Sequence, residues 1–228
     1  RAAFGAFNAR LNDADRTSGD LSFAQLVEGQ PPEMRAAAEG YSLFSLGEDP
    51  EEVSLADYDE LWNGDDLIVP DGYGALVARA LSAFPVRLRT PARTVRWDGA
   101  GVSVETPAGD IRAACAIVTA SVGLLQSEAP RFDPPLPDSH RTALEGLRMG
   151  ALTKVGLLFD GERFGLSPST DLFDIGDRQG RLLSVSAWDQ NRNLMVAILG
   201  GAYAREITAQ GEPGAIAHVL DRLVAILG

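Results

Sequence analysis

The 228-residue sequence is poor in cysteine, lysine and histidine. Cys115 is its single cysteine, so an intrachain disulfide framework is excluded. That thiol lies in the apolar run Ala113 to Ala120 and is read as buried and inert. His140 and His218 stand far apart, and neither has a cysteine or second histidine nearby. Zinc-type spacing is therefore absent, and no metal site is expected. Positive charge is also scarce. The formal net charge is -12 and the pI about 4.6, which removes the basic face that nucleic-acid binding needs. No apolar run approaches the roughly 18 residues of a membrane span. The chain has no G-x-G-x-x-G, and the first thirty residues, from Arg1, are mixed and polar without a secretory signal. The cytoplasm is the default compartment. The start without methionine and the ending Leu-Val-Ala-Ile-Leu-Gly228 read as cut ends.

What is present is ordinary for a globular chain, with 45% hydrophobic and 23% charged residues. Residues 1 to about 62 read as helical. A helix follows a capping Ser18 or Asp20, another begins at Pro31-Pro32, and a third begins after Ser54. Asp66 to Pro70 reads as a short extended run, broken by Asp71-Gly-Tyr-Gly74, and Ala75 to Phe84 as a helix. A β meander is predicted from Val86 to Thr119. Val86-Arg-Leu-Arg89, Thr94 to Trp97 and Val102 to Thr106 alternate, with turns at Asp98-Gly99 and Pro107 to Asp110. The closing run Cys115 to Ala120 has the continuous apolar character of a strand buried on both faces. A proline-rich connector, Pro130 to Pro137, leads to a helix over Ser139 to Leu147. Strands are predicted at Leu152 to Phe159, Leu182 to Trp188 and Leu194 to Leu199, and a final helix at Pro213 to Leu227. The class is mixed α/β.

Two features invite a chemical reading. Asp71-Gly-Tyr-Gly74 lies between an extended run and a helix, where a phosphate loop would sit. It lacks the third glycine, and a tight strand-to-helix turn is the preferred reading. Lys154 is sharper. It is the only lysine, against 20 Lys+Arg in total, and it sits inside the apolar run Gly150 to Asp160. In a strand, Leu152, Lys154, Gly156 and Leu158 share one face; Thr153, Val155, Leu157 and Phe159 share the other, more apolar one. An edge-strand lysine can discourage aggregation, but arginine would serve as well. A site that needs a compact ammonium beside a glycine cannot use guanidinium.

The order of these pieces resembles the flavin-containing amine oxidase family. The resemblance rests on Ile68-Val-Pro-Asp-Gly-Tyr-Gly-Ala-Leu76, the meander, Ala116-Ile-Val-Thr-Ala-Ser-Val-Gly-Leu124 and Arg131-Phe-Asp-Pro-Pro-Leu-Pro137 through Asp160. It implies a central segment of a bipartite fold. Residues 1–65 would be substrate-domain helices, 66–128 the middle of the FAD-binding domain, and 129–228 the substrate-domain sheet and helices. It implies FAD as cofactor of the complete enzyme, a small-molecule amine or amino acid as substrate, and oxygen as oxidant. Lys154 would hold a water against flavin N5. Val95 would contact the adenine end of FAD, and Thr119, Ala120 and Ser121 would form a turn close to the cofactor, with Ser121 in place of a usual proline. Phe164-Gly165 stands where Phe-Trp is common, and Ala202-Tyr203 where Glu-Ala is common. A related desaturase or protoporphyrinogen-oxidase-like flavoprotein, or a non-catalytic module on the same scaffold, stays open. The chain alone is expected to bind FAD weakly or not at all, to be inactive, and to self-associate, with a homodimer compatible with it.

Overall fold

The computed structural model describes residues 2–15, 17, 19–61, 64, 67–161, 163–174 and 181–228. The expected cap at Ser18 and the start of the extended run at Asp66 lie outside the described residues. Contacts divide the chain into two units, Arg1–Trp62 with Gly150–Gly228, and Asn63–Met149.

The first unit begins with helices α1 (Ala2–Asp13), α2 (Phe23–Leu26), α3 (Pro32–Leu46) and α4 (Leu55–Asp59). Local chemistry sets their ends. Ser22 caps α2 through a reciprocal box with Gln25, Pro32 opens α3 in its first turn, and Ser54 caps α4. The α2 cap is thus Ser22, two residues past Asp20, whose carboxylate instead accepts from the Ala56 amide at 3.1 Å. Gly47 ends α3 in the left-handed region, at φ 67, where a side chain would be strained. Phe7, Phe23, Leu26, Val53 and Leu55 form the buried centre of this helical layer.

The second unit carries α5 (Tyr73–Ala80), β1 (Thr94–Arg96), β2 (Val102–Glu105), β3 (Ile111–Ala113), α6 (Val122–Gln126), β4 (Arg131–Asp133) and α7 (Asp138–Gly146). The sheet order is β3-β2-β1-β4, with β4 parallel to β1. Three expectations are corrected here. Val86–Arg89 and Cys115–Ala120 form no strand, and Cys115 is exposed rather than buried. Ile117 is 89% and Leu88 81% accessible. A continuous apolar strand needs neighbours on both edges and both faces, and neither run has a pairing partner among the described residues. The grouping also differs from a boundary at residue 128. Strand β4 hydrogen-bonds into the meander, with Arg131 donating to the Arg93 carbonyl at 2.9 Å, and Gln126 of α6 donates to the Leu144 carbonyl of α7 at 2.7 Å. These bonds hold residues 129–149 to the meander unit.

The chain then returns to the first unit with β5 (Leu152–Leu158), β6 (Thr170–Asp174), β7 (Leu183–Ala187), β8 (Leu194–Gly200), α8 (Gly201–Ala209) and α9 (Gly211–Leu227). The sheet is antiparallel, in the order β5-β8-β7-β6. One face, with Val155, Leu157, Val185, Ala197 and Leu199, packs under Tyr203, Ala204 and Ile207 of α8 and Ala215, Val219 and Leu223 of α9. Among the described residues no helix is long and apolar enough to cross a membrane.

Helix α3 meets the opposite face at Gly200. A Cβ there would lie 2.7 Å from Leu43 Cβ and 3.1 Å from its Cα, so the helix itself would have to move. Gly200 has an extended backbone, φ -132 and ψ 171, and its requirement is space rather than conformation. Gly200→Ala is expected to lower unfolding stability by about 1–3 kcal/mol in urea titration. Gly156→Ala, whose Cβ would meet only Leu194 Cδ1 at 3.7 Å, should leave it within about 0.5 kcal/mol.

Glu39 of α3 supplies a second check. Burial pushes its carboxyl above the ordinary glutamate range, against the pull of Arg35 and of the Leu182 amide. A carboxyl raised on folding binds more protons in the folded state, so its contribution is full below the unfolded pKa and is lost as pH rises through the folded one. Glu39→Gln should therefore flatten the fall in stability with rising pH across the carboxylate range. Thermal melts of the parent and variant at stepped pH measure the difference.

Candidate functional site

Alternation along β5 decides where Lys154 points. Thr153, Val155 and Leu157 turn toward α8 and α9, and the Thr153 hydroxyl lies 2.8 Å from that of Thr208. Leu152, Lys154, Gly156 and Leu158 turn to the other face, as the sequence predicts, and all four are exposed. Leu152 is 46% and Leu158 83% accessible. The antiparallel register sets Lys154 beside Ile198, Gly156 beside Val196 and Leu158 beside Leu194. These three β8 side chains are half-buried. The Lys154 ammonium makes no ion pair or hydrogen bond with any described residue. The result is an aliphatic patch that carries the Lys154 ammonium, without a partner among the described residues. Strand β5 is also the edge of its sheet. A groove of about 310 Å³ runs along that edge, lined by Thr153, Thr208, Glu212, Ala215 and Ile216 together with Lys154 and Gly156. Thr153 and Val155 project to that helical side, so Glu212 faces the strand from behind the lysine face.

The other predicted residues belong to the second unit. Val95 is 5% accessible, in a strand flanked on both sides by β2 and β4. The stretch just before it, Pro91 to Arg93, is exposed. Thr119 is exposed and Ala120 half-buried. Ser121 caps α6, its hydroxyl accepting from the Leu124 amide at 3.4 Å. Serine thus does at this turn what a proline cannot, because it offers a side-chain acceptor to the helix. In the first unit, Phe164 stacks near Trp188 with ring centroids 6.4 Å apart, and Tyr203 is buried with its hydroxyl accepting from Arg222 at 3.1 Å. Tyr203 thus serves packing, whereas Gly165, which replaces the common Trp, stands in open space at φ 69. Sequence reasoning missed the β8 side chains Leu194, Val196 and Ile198, whose alternation was the available signal once β8 was paired with β5.

The family described as flavin containing amine oxidoreductase matches residues 4–228. The chain belongs to that family. It is 26% identical over 122 residues to lysine-specific histone demethylase 2 of Homo sapiens, covering 51% of this chain and 15% of that protein. It is 26% identical over 162 residues to probable polyamine oxidase 4 of Arabidopsis thaliana, covering 64% of this chain and 33% of that one. A solved structure of putrescine oxidase bound to putrescine superposes with a TM-score of 0.74 at 20% identity, over 91% of this chain and 50% of that one. The chain therefore spans from about a seventh to half of the length of these relatives.

The family's flavin sets a test for the residues present. The Lys154 patch fits a planar ring system. It is aliphatic, has no side chain at Gly156, and carries a cation with no partner among the described residues. The Asp71–Gly74 turn does not by itself form a phosphate cradle. Gly72, at φ 90, precedes the eight-residue α5, and no atom approaches within 4 Å of a Cβ built at Gly72 or Gly74. Tyr73 between them is 72% accessible.

An exposed, unpaired lone lysine should be acylated readily. Brief treatment of the folded, flavin-free protein with an N-hydroxysuccinimide ester is expected to modify Lys154, as read by peptide mass spectrometry. A Lys154 peptide that stays unmodified until the protein is denatured would contradict the open patch.

Proposed function

We propose that this chain is the central part of an FAD-dependent amine oxidase, and that it provides the sheet carrying the lysine of the active site. The observation that carries the reading is the single lysine of the chain, on the exposed face of a paired strand and without a partner among the described residues. The substrate is an amine or amino acid, oxidatively deaminated with oxygen as the final oxidant. FAD, when bound, supplies the acceptor for the hydride of the amine α-carbon and passes the electrons to oxygen.

The residues of this chain contribute position, dryness and charge. Leu152, Leu158, Val196 and Ile198 offer a surface from which water is readily displaced, which strengthens any charge interaction made beside them. The ammonium of Lys154 donates hydrogen bonds through Nζ and holds a water at the sheet surface. Where oxygen gains negative charge, the same ammonium stabilises it electrostatically. The neighbouring Gly156 removes a side chain that would otherwise stand between the strand and its ligand. The strand backbone, bonded to β8 over its full length, fixes the point and direction from which the Lys154 side chain leaves the sheet. Val95 and the Thr119–Ser121 turn are proposed cofactor contacts, Val95 through the exposed backbone that leads into it.

In the flavin-loaded enzyme, Lys154→Met should retain the fold and the flavin and slow reoxidation by oxygen by roughly 10²-fold, the scale of removing one positioned electrostatic group. Stopped-flow mixing of the reduced enzyme with oxygen reads this directly. Parent-like reoxidation in the variant would remove Lys154 from the site.

A further inference from the structure

The sheet face that carries Lys154 changes character across its width, and the change bears on which amine is accepted, a deduction that rests on the proposed oxidase reading. The register row Lys154–Ile198–Ser184–Phe173 is buried at Ser184. In the next row, Gly156–Val196–Ser186–Asp171, no position is buried. That row is aliphatic at Val196 and polar beyond it. The Ser186 hydroxyl donates to Asp189 Oδ2 at 2.9 Å, which brings this half-buried carboxylate onto the lysine face. Asp189 makes no ion pair with any described residue. The bond from Ser186 needs only an acceptor, which an amide oxygen would supply equally, so the turn does not require the charge.

The turn itself is held firmly. Trp188 at φ 61 and Gln190 at φ 54 flank Asp189 in the left-handed region, where non-glycine backbone persists only if its surroundings fix it. Arg163 fixes it. Its guanidinium donates to Asn191 Oδ1 at 2.7 Å and to Asn193 Oδ1 at 3.1 Å, and lies 5.5 Å from the Trp188 ring centroid.

We infer that Asp189 is a specificity-determining residue that receives a second, remote ammonium of the substrate, so that long diamines are preferred to monoamines of equal length. Ser186 lies two strands across and two residues along from Lys154, roughly 12 Å by strand geometry. At roughly 1.2 Å per bond of an extended chain, that span takes about nine bonds, the separation of the two nitrogens in 1,8-diaminooctane. The methylenes then lie over Gly156 and Val196 and gain burial. Asp171, exposed one strand further, adds charge of the favourable sign. A four-carbon diamine leaves its second ammonium over Val196, short of the carboxylate and partly stripped of water. The contact is remote from the reacting carbon, so it enters mainly through KM.

The test uses the flavin-loaded holoenzyme with 1,8-diaminooctane, n-octylamine, 1,4-diaminobutane and n-butylamine. At pH 7.5 the remote amino group is protonated. There, kcat/KM for the eight-carbon diamine is expected to exceed that for n-octylamine by about tenfold, with most of the difference in KM, and the four-carbon diamine to show no such advantage over n-butylamine. The concentration dependence of anaerobic flavin reduction gives the dissociation constant apart from the limiting rate, and should place the difference in binding. Asp189→Asn keeps an acceptor for Ser186 and removes the charge; it should abolish the preference and leave n-octylamine oxidation unchanged. Glu212→Gln, in the edge groove on the helical side of β5, should leave the preference intact. Equal use of the two eight-carbon amines, a preference that survives Asp189→Asn, or its loss in Glu212→Gln would overturn the assignment of Asp189 while leaving the oxidase reading intact. If no primary amine reduces the flavin anaerobically, the oxidase reading fails and this inference fails with it.

Discussion

Period-two alternation along β5 is the constraint on which the first unit depends. One set of its side chains must be apolar and large enough to fill the space under α8 and α9, and Val155 and Leu157 do this. The opposite set is then committed to the other face by geometry alone, whatever its chemistry. Lys154 belongs to that set, so the burial of its neighbours is what exposes it. A shift of the strand by one residue would turn the ammonium in among the aliphatic side chains under α8 and α9, with the desolvation cost of burying a charge. The register with β8, unbroken from Leu152 to Leu158, prevents that slip.

The second constraint is how close α3 comes to the sheet. The carbonyl of Gly47 accepts from the Ala151 amide at 2.7 Å and from the Gly201 amide at 3.2 Å, so one glycine ends α3 and joins the start of β5 to the end of β8. Glycine at 150 and 200 lets the helix backbone pass where any Cβ would collide with it. These contacts lie at one end of the lysine face. They close that end and leave the rows of Lys154, Gly156 and Leu158 open. The helical layer is tied in further by ring contacts, Phe4 and Phe44 both meeting Phe173 of β6, at 5.4 and 6.5 Å.

The meander unit has a different character. Its small sheet buries Thr94 and Val95, yet α5 has no buried residue, with Leu76, Val77 and Leu81 between 37% and 45% accessible. Ile117 and Leu88 are more exposed still. Aliphatic surface of this extent is a property of segments that pack against further structure. Their composition answers to a larger fold than the contacts made within residues 64–149 display.

The sequence alone determined the helix starts at Pro32 and Ser54, the turns at Gly99 and Gly109, the strands at β5, β7 and β8, and the two faces of β5. These follow from local rules: caps, turn-forming Asp-Gly and Pro-rich sequence, positive φ at Gly109 but not at Gly99, and alternation. It also singled out Lys154, because one lysine among 19 arginines is a choice visible without coordinates. Tertiary structure decided the rest. The run Cys115–Ala120 is apolar enough for a buried strand, but a strand exists only when a partner supplies its hydrogen bonds. Arg131–Asp133, in a proline-rich connector, carries little strand signal and is a strand because β1 offers it an edge. The aliphatic surroundings of Lys154 come from Leu194, Val196 and Ile198, roughly forty residues away in sequence. Which residues share a face across two strands depends on register, and register is fixed by packing against α8 and α9 rather than by any local preference.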